Sequence, residues 1–153
     1  MTEAQTQTET IEQMEEMVTD APRVGIIMGS KNDMPEMEKA GAVLDEYRVR
    51  YEIRVMSAHR DPETVADYCK NAKMRGLRVI IAGAGLSAAL PGVAAAHTDL
   101  PVIGVPLSSS LSAAGGLDSI LSVVQMPPGV PVAAVGLDNP KNAAHLAARI
   151  LSA

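Results

Sequence analysis

The chain has no tryptophan, no phenylalanine and only three tyrosines among its 153 residues. Its hydrophobic fraction of 47% must therefore come mainly from Val, Ile, Leu, Ala and Met, which suits close approach of helices to a sheet. The scarcity of aromatic rings also removes the stacking platforms on which single-stranded nucleic acids are held. Basic clusters are missing too: 13 Lys and Arg against 18 Asp and Glu leave a net charge of −5. A phosphate backbone demands clustered Lys and Arg, so a nucleic-acid partner is not expected. Cys69 is the only cysteine, which rules out an intrachain disulfide and gives secretion no support. It falls in a helical pattern and reads as a packing residue. Three scattered histidines and one cysteine offer no metal-ligand spacing. Gly and Pro break the apolar runs well short of a bilayer span, and no cationic leader opens the chain. A cytoplasmic protein of one domain, with no membrane contact, is the expectation.

What is present is alternation. Residues 1–22 are rich in Thr, Gln and Glu and read as a flexible tail, with one frayed helical turn around residues 11–18. From Arg23 onward strand and helix signals follow one another. Val24–Met28 is a short apolar run ended by Gly29-Ser30, as a buried parallel strand requires. Asp33 and Glu36 read as a box opening a helix through Met37, Ala40, Val43 and Leu44. A second strand ends near Met56, after which Asp61 is a good N-cap and Pro62 a good first helical residue. That helix ends by Gly76. Arg78–Ala82 reads as the third strand, closed by a turn at Gly83-Ala84-Gly85, with a helix from Ser87 to Ala96. Strands at Pro101–Val105 and Pro131–Val135 flank a Ser/Ala/Gly-rich loop and a helix, Leu117–Val124. Asn139-Pro140 opens the last helix. Five strands alternating with helices imply a parallel sheet covered on both faces. The best match is a three-layer α/β/α sandwich, doubly wound and flavodoxin-like, over residues 23–153.

In such a sheet the strand carboxyl ends form the ligand edge. Four turns fall there: Gly29 to Asp33, Ser57 to Arg60, Gly83 to Ser87, and Pro106 to Gly116. The richest is Ser57-Ala58-His59-Arg60. Histidine trades a proton near neutral pH, and arginine grips a phosphate through paired hydrogen bonds. Gly29-Ser30 can present backbone N–H groups and a hydroxyl to a phosphate. Asp33 suits either ribose hydroxyls or a helix cap, and local sequence does not choose between them. Gly83 to Ala88 fits a loose dinucleotide fingerprint, but it is not on the first βαβ unit and no acidic residue ends the next strand. No Gly-x-Ser-x-Gly elbow is present. Together these turns indicate proton transfer on a phosphorylated small molecule.

The order of these motifs, continued by Leu90-Pro91-Gly92, Gly104-Val105-Pro106, Leu117-Asp118-Ser119 and Val124-Gln125-Met126-Pro127, resembles the class I PurE family of N5-carboxyaminoimidazole ribonucleotide mutases. The resemblance covers residues 23 to 151. It implies an α/β/α subunit assembled as an octamer, with no metal or organic cofactor. It further implies moving a carboxylate from the exocyclic nitrogen of aminoimidazole ribonucleotide to ring carbon C4, by loss of CO2 and its recapture. By the same resemblance His59 is the general acid and base, and Ser30, Asp33 and Arg60 bind substrate. Ser57 and the turn of Gly83, Ala84 and Gly85 line the site. Sequestering CO2 needs a small closed site rather than a cofactor, and the loop from Leu107 to Gly116 is placed to cover it. The family commonly reads Gly-Gly-Ala-Ala-His-Leu-Pro-Gly where this chain has Gly85 to Gly92, so its second histidine is Ala89 here. Two alternatives stand beside the mutase: the class II relative, which carboxylates aminoimidazole ribonucleotide with free CO2 and typically has lysine where Arg60 stands, and a non-catalytic nucleotide-binding module.

Overall fold

A computed structural model describes the backbone of all 153 residues and the side chains of all but residues 15–19. Five parallel strands form one sheet: β1 (Val24–Met28), β2 (Tyr51–Val55), β3 (Val79–Gly85), β4 (Val102–Leu107) and β5 (Ala133–Ala134). Their spatial order is β2-β1-β3-β4-β5, the flavodoxin-like order expected from the alternation. Six helices accompany them: α1 (Glu3–Asp20), α2 (Met34–Glu46), α3 (Pro62–Ala72), α4 (Leu90–Ala96), α5 (Leu117–Val124) and α6 (Pro140–Ser152).

Alternate strand residues feed two cores. Val24, Ile26, Met28, Ile81 and Val105 pack with Met37, Ala40 and Leu44 of α2 and with Ala143, Ala144 and Ala147 of α6. Ile27, Ile80, Ala82, Ala84 and Val102 face the other way, onto Val65 and Cys69 of α3, Leu90 and Ala94 of α4, and Val123 of α5. The period-2 alternation of a strand supplies both faces at once, so these strands read as continuous apolar runs. Burial raises the Cys69 thiol to about 11, which keeps it a packing group at neutral pH.

Local chemistry sets the helix ends. Asp61 accepts from Thr64 N at 3.3 Å and starts α3, and Asn139 accepts from Asn142 N at 3.1 Å and starts α6. The chain after α3 turns at Gly76, whose φ of +97° is the left-handed conformation that glycine adopts without steric penalty. Leu77 N bonds to Ala72 O at 3.0 Å and Gly76 N to Lys73 O at 3.1 Å, the paired bonds of a Schellman stop.

Several elements depart from the reading of the sequence. Gly83, Ala84 and Gly85 are not a turn but the last residues of β3, paired with Val105, Pro106 and Leu107. A Cβ at Gly83 would collide with the Met37 thioether, so glycine is there to let α2 lie against the sheet. Helix α4 starts at Leu90 rather than Ser87, with Pro91 in its first turn. The amino-terminal segment is helical over 18 residues, opened by a capping box in which Thr2 and Gln5 bond reciprocally. That Thr-x-x-Gln signature was visible in the sequence and outweighs the disorder-like composition of the segment. Asp20 pairs with Arg50 at 2.8 Å, so α1 enters the domain at the amino edge of the sheet.

Candidate active site

Strand order decides where the site lies. The chain leaves β1 through α2 toward β2, and reaches β3 on the other side of β1 through α3 on the opposite face. The carboxyl ends of β1 and β3 therefore diverge at a topological switch point, where open α/β sheets hold ligands. Register aligns Met28 with both Val55 and Gly83, so the turns after β1, β2 and β3 emerge side by side.

After β1, Ser30 opens a single 3-10 turn over Lys31–Asp33. Its hydroxyl accepts from Asn32 N at 3.2 Å, and its carbonyl accepts from Asp33 N at 3.1 Å. Asp33 then stands at the start of α2 without making a side-chain cap bond. The sequence left capping and ligand binding open for this residue, and its carboxylate is not used as a cap. Partial burial alone raises its pKa above 3.8, since desolvation disfavours the charged form.

After β2, Met56 N bonds to Met28 O at 2.8 Å and extends the pairing by one residue. The chain then turns sharply, with Asp61 N on Ser57 O at 2.9 Å. The Ser57 hydroxyl accepts from Arg60 N at 3.1 Å and from Arg60 Nε at 3.3 Å. Arg60 reaches across to the first turn, donating from Nη2 to Gly29 O at 2.7 Å. One guanidinium thus ties the two turns together. His59 and Arg60 are exposed, whereas Ser57 and Ser30 are half-buried. A solvent-facing imidazole beside a fixed cation suits a mobile proton carrier next to an anion clamp.

The family model for AIR carboxylase matches residues 23–153. This chain belongs to the AIR carboxylase family. The N5-carboxyaminoimidazole ribonucleotide mutase of Pyrococcus abyssi is 60% identical over 131 residues, spanning 86% of this chain and 74% of that protein. The phosphoribosylaminoimidazole carboxylase of Schizosaccharomyces pombe is 54% identical over 133 residues, 87% of this chain and 24% of that protein. Among solved structures, PurE of Treponema denticola superposes with a TM-score of 0.74 at 38% identity, covering 86% of this chain and 80% of that one.

Within this AIR carboxylase domain the candidate residues fall into two groups. Ser30, Asp33, Ser57, His59 and Arg60 sit on the adjoining turns after β1 and β2. Gly83 and Ala84 are buried strand residues and Gly85 is half-buried at the strand end, so the contact surface after β3 begins with Gly85 and Leu86. Leu86 has a φ of +52°, at the position where the family pattern has glycine. Ala89, in place of the family's second histidine, precedes α4 and offers no cap bond.

Two residues escaped the sequence reading: Ser108 after β4 and Asp138 after β5, which are hydrogen-bonded through both carboxylate oxygens. Three of the four non-glycine residues with positive φ, namely Leu86, Ala114 and Asp138, occur in loops at this same sheet edge. Strain of that kind gathers at functional sites. A separate cleft of about 620 Å³ opens at the opposite edge, between the ends of α3 and α4 and residues 129–131. It holds Lys70, Lys73 and His97 but none of the residues just described. Among the described residues no cluster of His, Cys, Asp and Glu is arranged to hold a metal ion, and no helix is long and apolar enough to cross a membrane.

Proposed function

We propose that this protein is an N5-carboxyaminoimidazole ribonucleotide mutase of purine biosynthesis, with residues 23–153 as the catalytic domain and residues 1–22 as an amino-terminal appendage without a part in catalysis. The observation that carries the reading is the Arg60 bridge. It fixes the Gly29-Ser30 and Ser57 to Arg60 turns to each other, with His59 exposed on the second of them. The 60% identity to a protein of that name supports it.

The chemistry follows from these residues. Arg60 and Ser30 hold the ribotide phosphate, and Asp33 accepts from ribose hydroxyls. Ser57 and the end of β3 at Gly85 line the base. The carbamate C–N bond breaks, its electron pair stays on nitrogen, and His59 delivers a proton there as CO2 forms. C4 of the enamine-like ring attacks that CO2, and His59 removes the C4 proton to restore aromaticity. One proton given and one taken leave the histidine unchanged, as a general acid and base requires. The shift is redox-neutral and conserves every atom, so its balance calls for no cofactor.

The exposed apolar stripe Leu117, Leu121 and Val124 along α5 supports self-association, and the resemblance to PurE suggests an octamer. A cytoplasmic location fits a chain whose one cysteine is buried and unpaired. The test offers the purified protein the carbamate without ATP or bicarbonate, and in parallel aminoimidazole ribonucleotide with bicarbonate. Conversion of the carbamate alone is the expected result. Conversion of only the second mixture assigns the direct carboxylase, and inactivity on both assigns a binding role.

A further inference from the structure

The loop joining β4 to α5 stands with both feet on one short turn, Gly136 to Asp138. At its first foot Ser108 N donates to Asp138 Oδ1 at 2.8 Å, and the Ser108 hydroxyl donates to Asp138 Oδ2. Just upstream of that foot, Asp138 N bonds to Pro106 O at 2.9 Å. At its second foot Gly116, with φ of +109°, lies so close to Leu137 that a Cβ would fall 2.8 Å from Leu137 Cδ2. Gly116 O is further held by the buried Ser119 hydroxyl at 3.0 Å. Between the feet the loop braces itself: Ser109 N bonds to Ser112 Oγ at 2.8 Å, and Ala113 N to Asp118 Oδ2 at 3.2 Å. Asp138 adopts φ of +53°, a left-handed conformation that aspartate takes more readily than most non-glycine residues and that here goes with its two bonds to Ser108.

This assembly adjoins the site. Leu107, the residue before the first foot, pairs with Gly85 at the end of β3. The apex, Ser109 to Leu111, is exposed, with Leu111 77% accessible, so the loop is anchored at its base and presents an apolar side chain at its tip. We propose that Asp138 is a positioning residue, and that its clasp on Ser108 holds the 108–116 loop as a cover that keeps CO2 beside C4 between bond breaking and bond making. The inference rests on the mutase reading above. The carbamate that loses CO2 to solvent takes one proton on nitrogen and leaves as aminoimidazole ribonucleotide, so a loosened cover appears as that by-product rather than as a simple loss of rate.

Two measurements on the intact protein test the clasp separately from the reading. Hydrogen exchange of residues 108–116 is compared between wild type and Asp138→Ala, with Ser108→Ala and Asp138→Asn as milder variants that guard against a folding failure. Exchange accelerated at least about fivefold in Asp138→Ala, and less in Asp138→Asn, is expected. Unchanged exchange in all variants overturns the clasp whatever the activity. The second measurement is the ratio of C4-carboxylated product to carbamate consumed, after subtraction of spontaneous decarboxylation. Wild type is expected to couple nearly fully, and Asp138→Ala to release at least a third of turnovers as aminoimidazole ribonucleotide. Variants that couple like wild type overturn the role in retaining CO2. A wild type that converts no carbamate overturns the mutase reading and this role with it, while the exchange result still judges the anchor.

Discussion

Arg60→Lys separates geometry from charge at the centre of the site. Arg60 donates to Gly29 O at 2.7 Å and to Ser57 Oγ at 3.3 Å from two different nitrogens. A lysine ammonium keeps the charge, but as a single point it reaches one of those acceptors at a time. The variant thus loses one internal hydrogen bond, a net effect of about 0.5–1.5 kcal/mol and nearer the low end for an exposed group. On the proposed reading it also loses the fork that would pair with two phosphate oxygens, and charged hydrogen bonds of that type contribute roughly 1.5–3 kcal/mol. Together the losses, about 2–3.5 kcal/mol, predict a fall in kcat/KM of about 30- to 300-fold, since about 1.4 kcal/mol is a factor of ten. Stability changes little, because Arg60 is exposed and anchors no core residue; about 0.5–1 kcal/mol corresponds to a Tm shift of roughly 1–4 °C in a chain of this size. Steady-state kinetics on the carbamate and a thermal melt supply both readouts. A variant within twofold of wild type in kcat/KM refutes the clamp. A fall in Tm of more than about 10 °C refutes it differently, by showing Arg60 to be a structural strut.

Three further outcomes follow from the same geometry. His59→Asn retains substrate binding in a calorimetric titration and the far-UV spectrum of the wild type, but loses about 10²–10⁴-fold in kcat, the range of a general acid–base group; turnover within tenfold of wild type removes His59 from the mechanism. Asp33 has its pKa raised by desolvation, so the stability it contributes is fully present below the ordinary value and lost as pH rises through the raised one. Asp33→Asn should therefore melt above wild type at pH 7, with the gap closing toward pH 3, while KM rises about tenfold or more through the lost charged hydrogen bonds. Glu52 behaves in the opposite sense: desolvation raises its pKa, but hydrogen bonds from Tyr68 and Arg75 and the charges of Arg75 and Arg54 bring it below 4.5 overall. Its stabilisation is present above that value and lost as pH falls through the lowered one, so Tyr68→Phe, which removes a 2.8 Å bond, should reduce urea stability at pH 7 by about 1 kcal/mol and by less at pH 3.

How much of this was legible in the sequence depended on how local each signal is. The runs Val24–Met28 and Val79–Ile81 announced buried parallel strands because both their faces are covered. Asp61-Pro62 and Asn139-Pro140 announced helix starts because capping is settled within four residues. Once strand and helix alternate, topology alone carries the turns after β1 and β2, with Ser30, Ser57, His59 and Arg60, to one edge. Gly83 was misread because a glycine beside a strand has two explanations, and only the presence of Met37 above it distinguishes packing from turning. Asp33 could not be assigned because its capping bond is absent for reasons of geometry; a 3-10 turn opened by Ser30 precedes the helix. The Ser108–Asp138 pair spans 30 residues, and positive φ at Leu86, Ala114 and Asp138 falls on residues that give no warning of it. These features exist only after the chain has closed on itself.

The most direct test of the central claim follows the carboxylate itself. The carbamate is supplied with 13C in its carboxylate, in buffer containing unlabelled bicarbonate, and the C4-carboxylated product is weighed by mass spectrometry. The account predicts that nearly all product retains the label, because CO2 is recaptured where it is released. Product carrying the isotopic composition of the bicarbonate pool would contradict it and show carboxylation by free CO2.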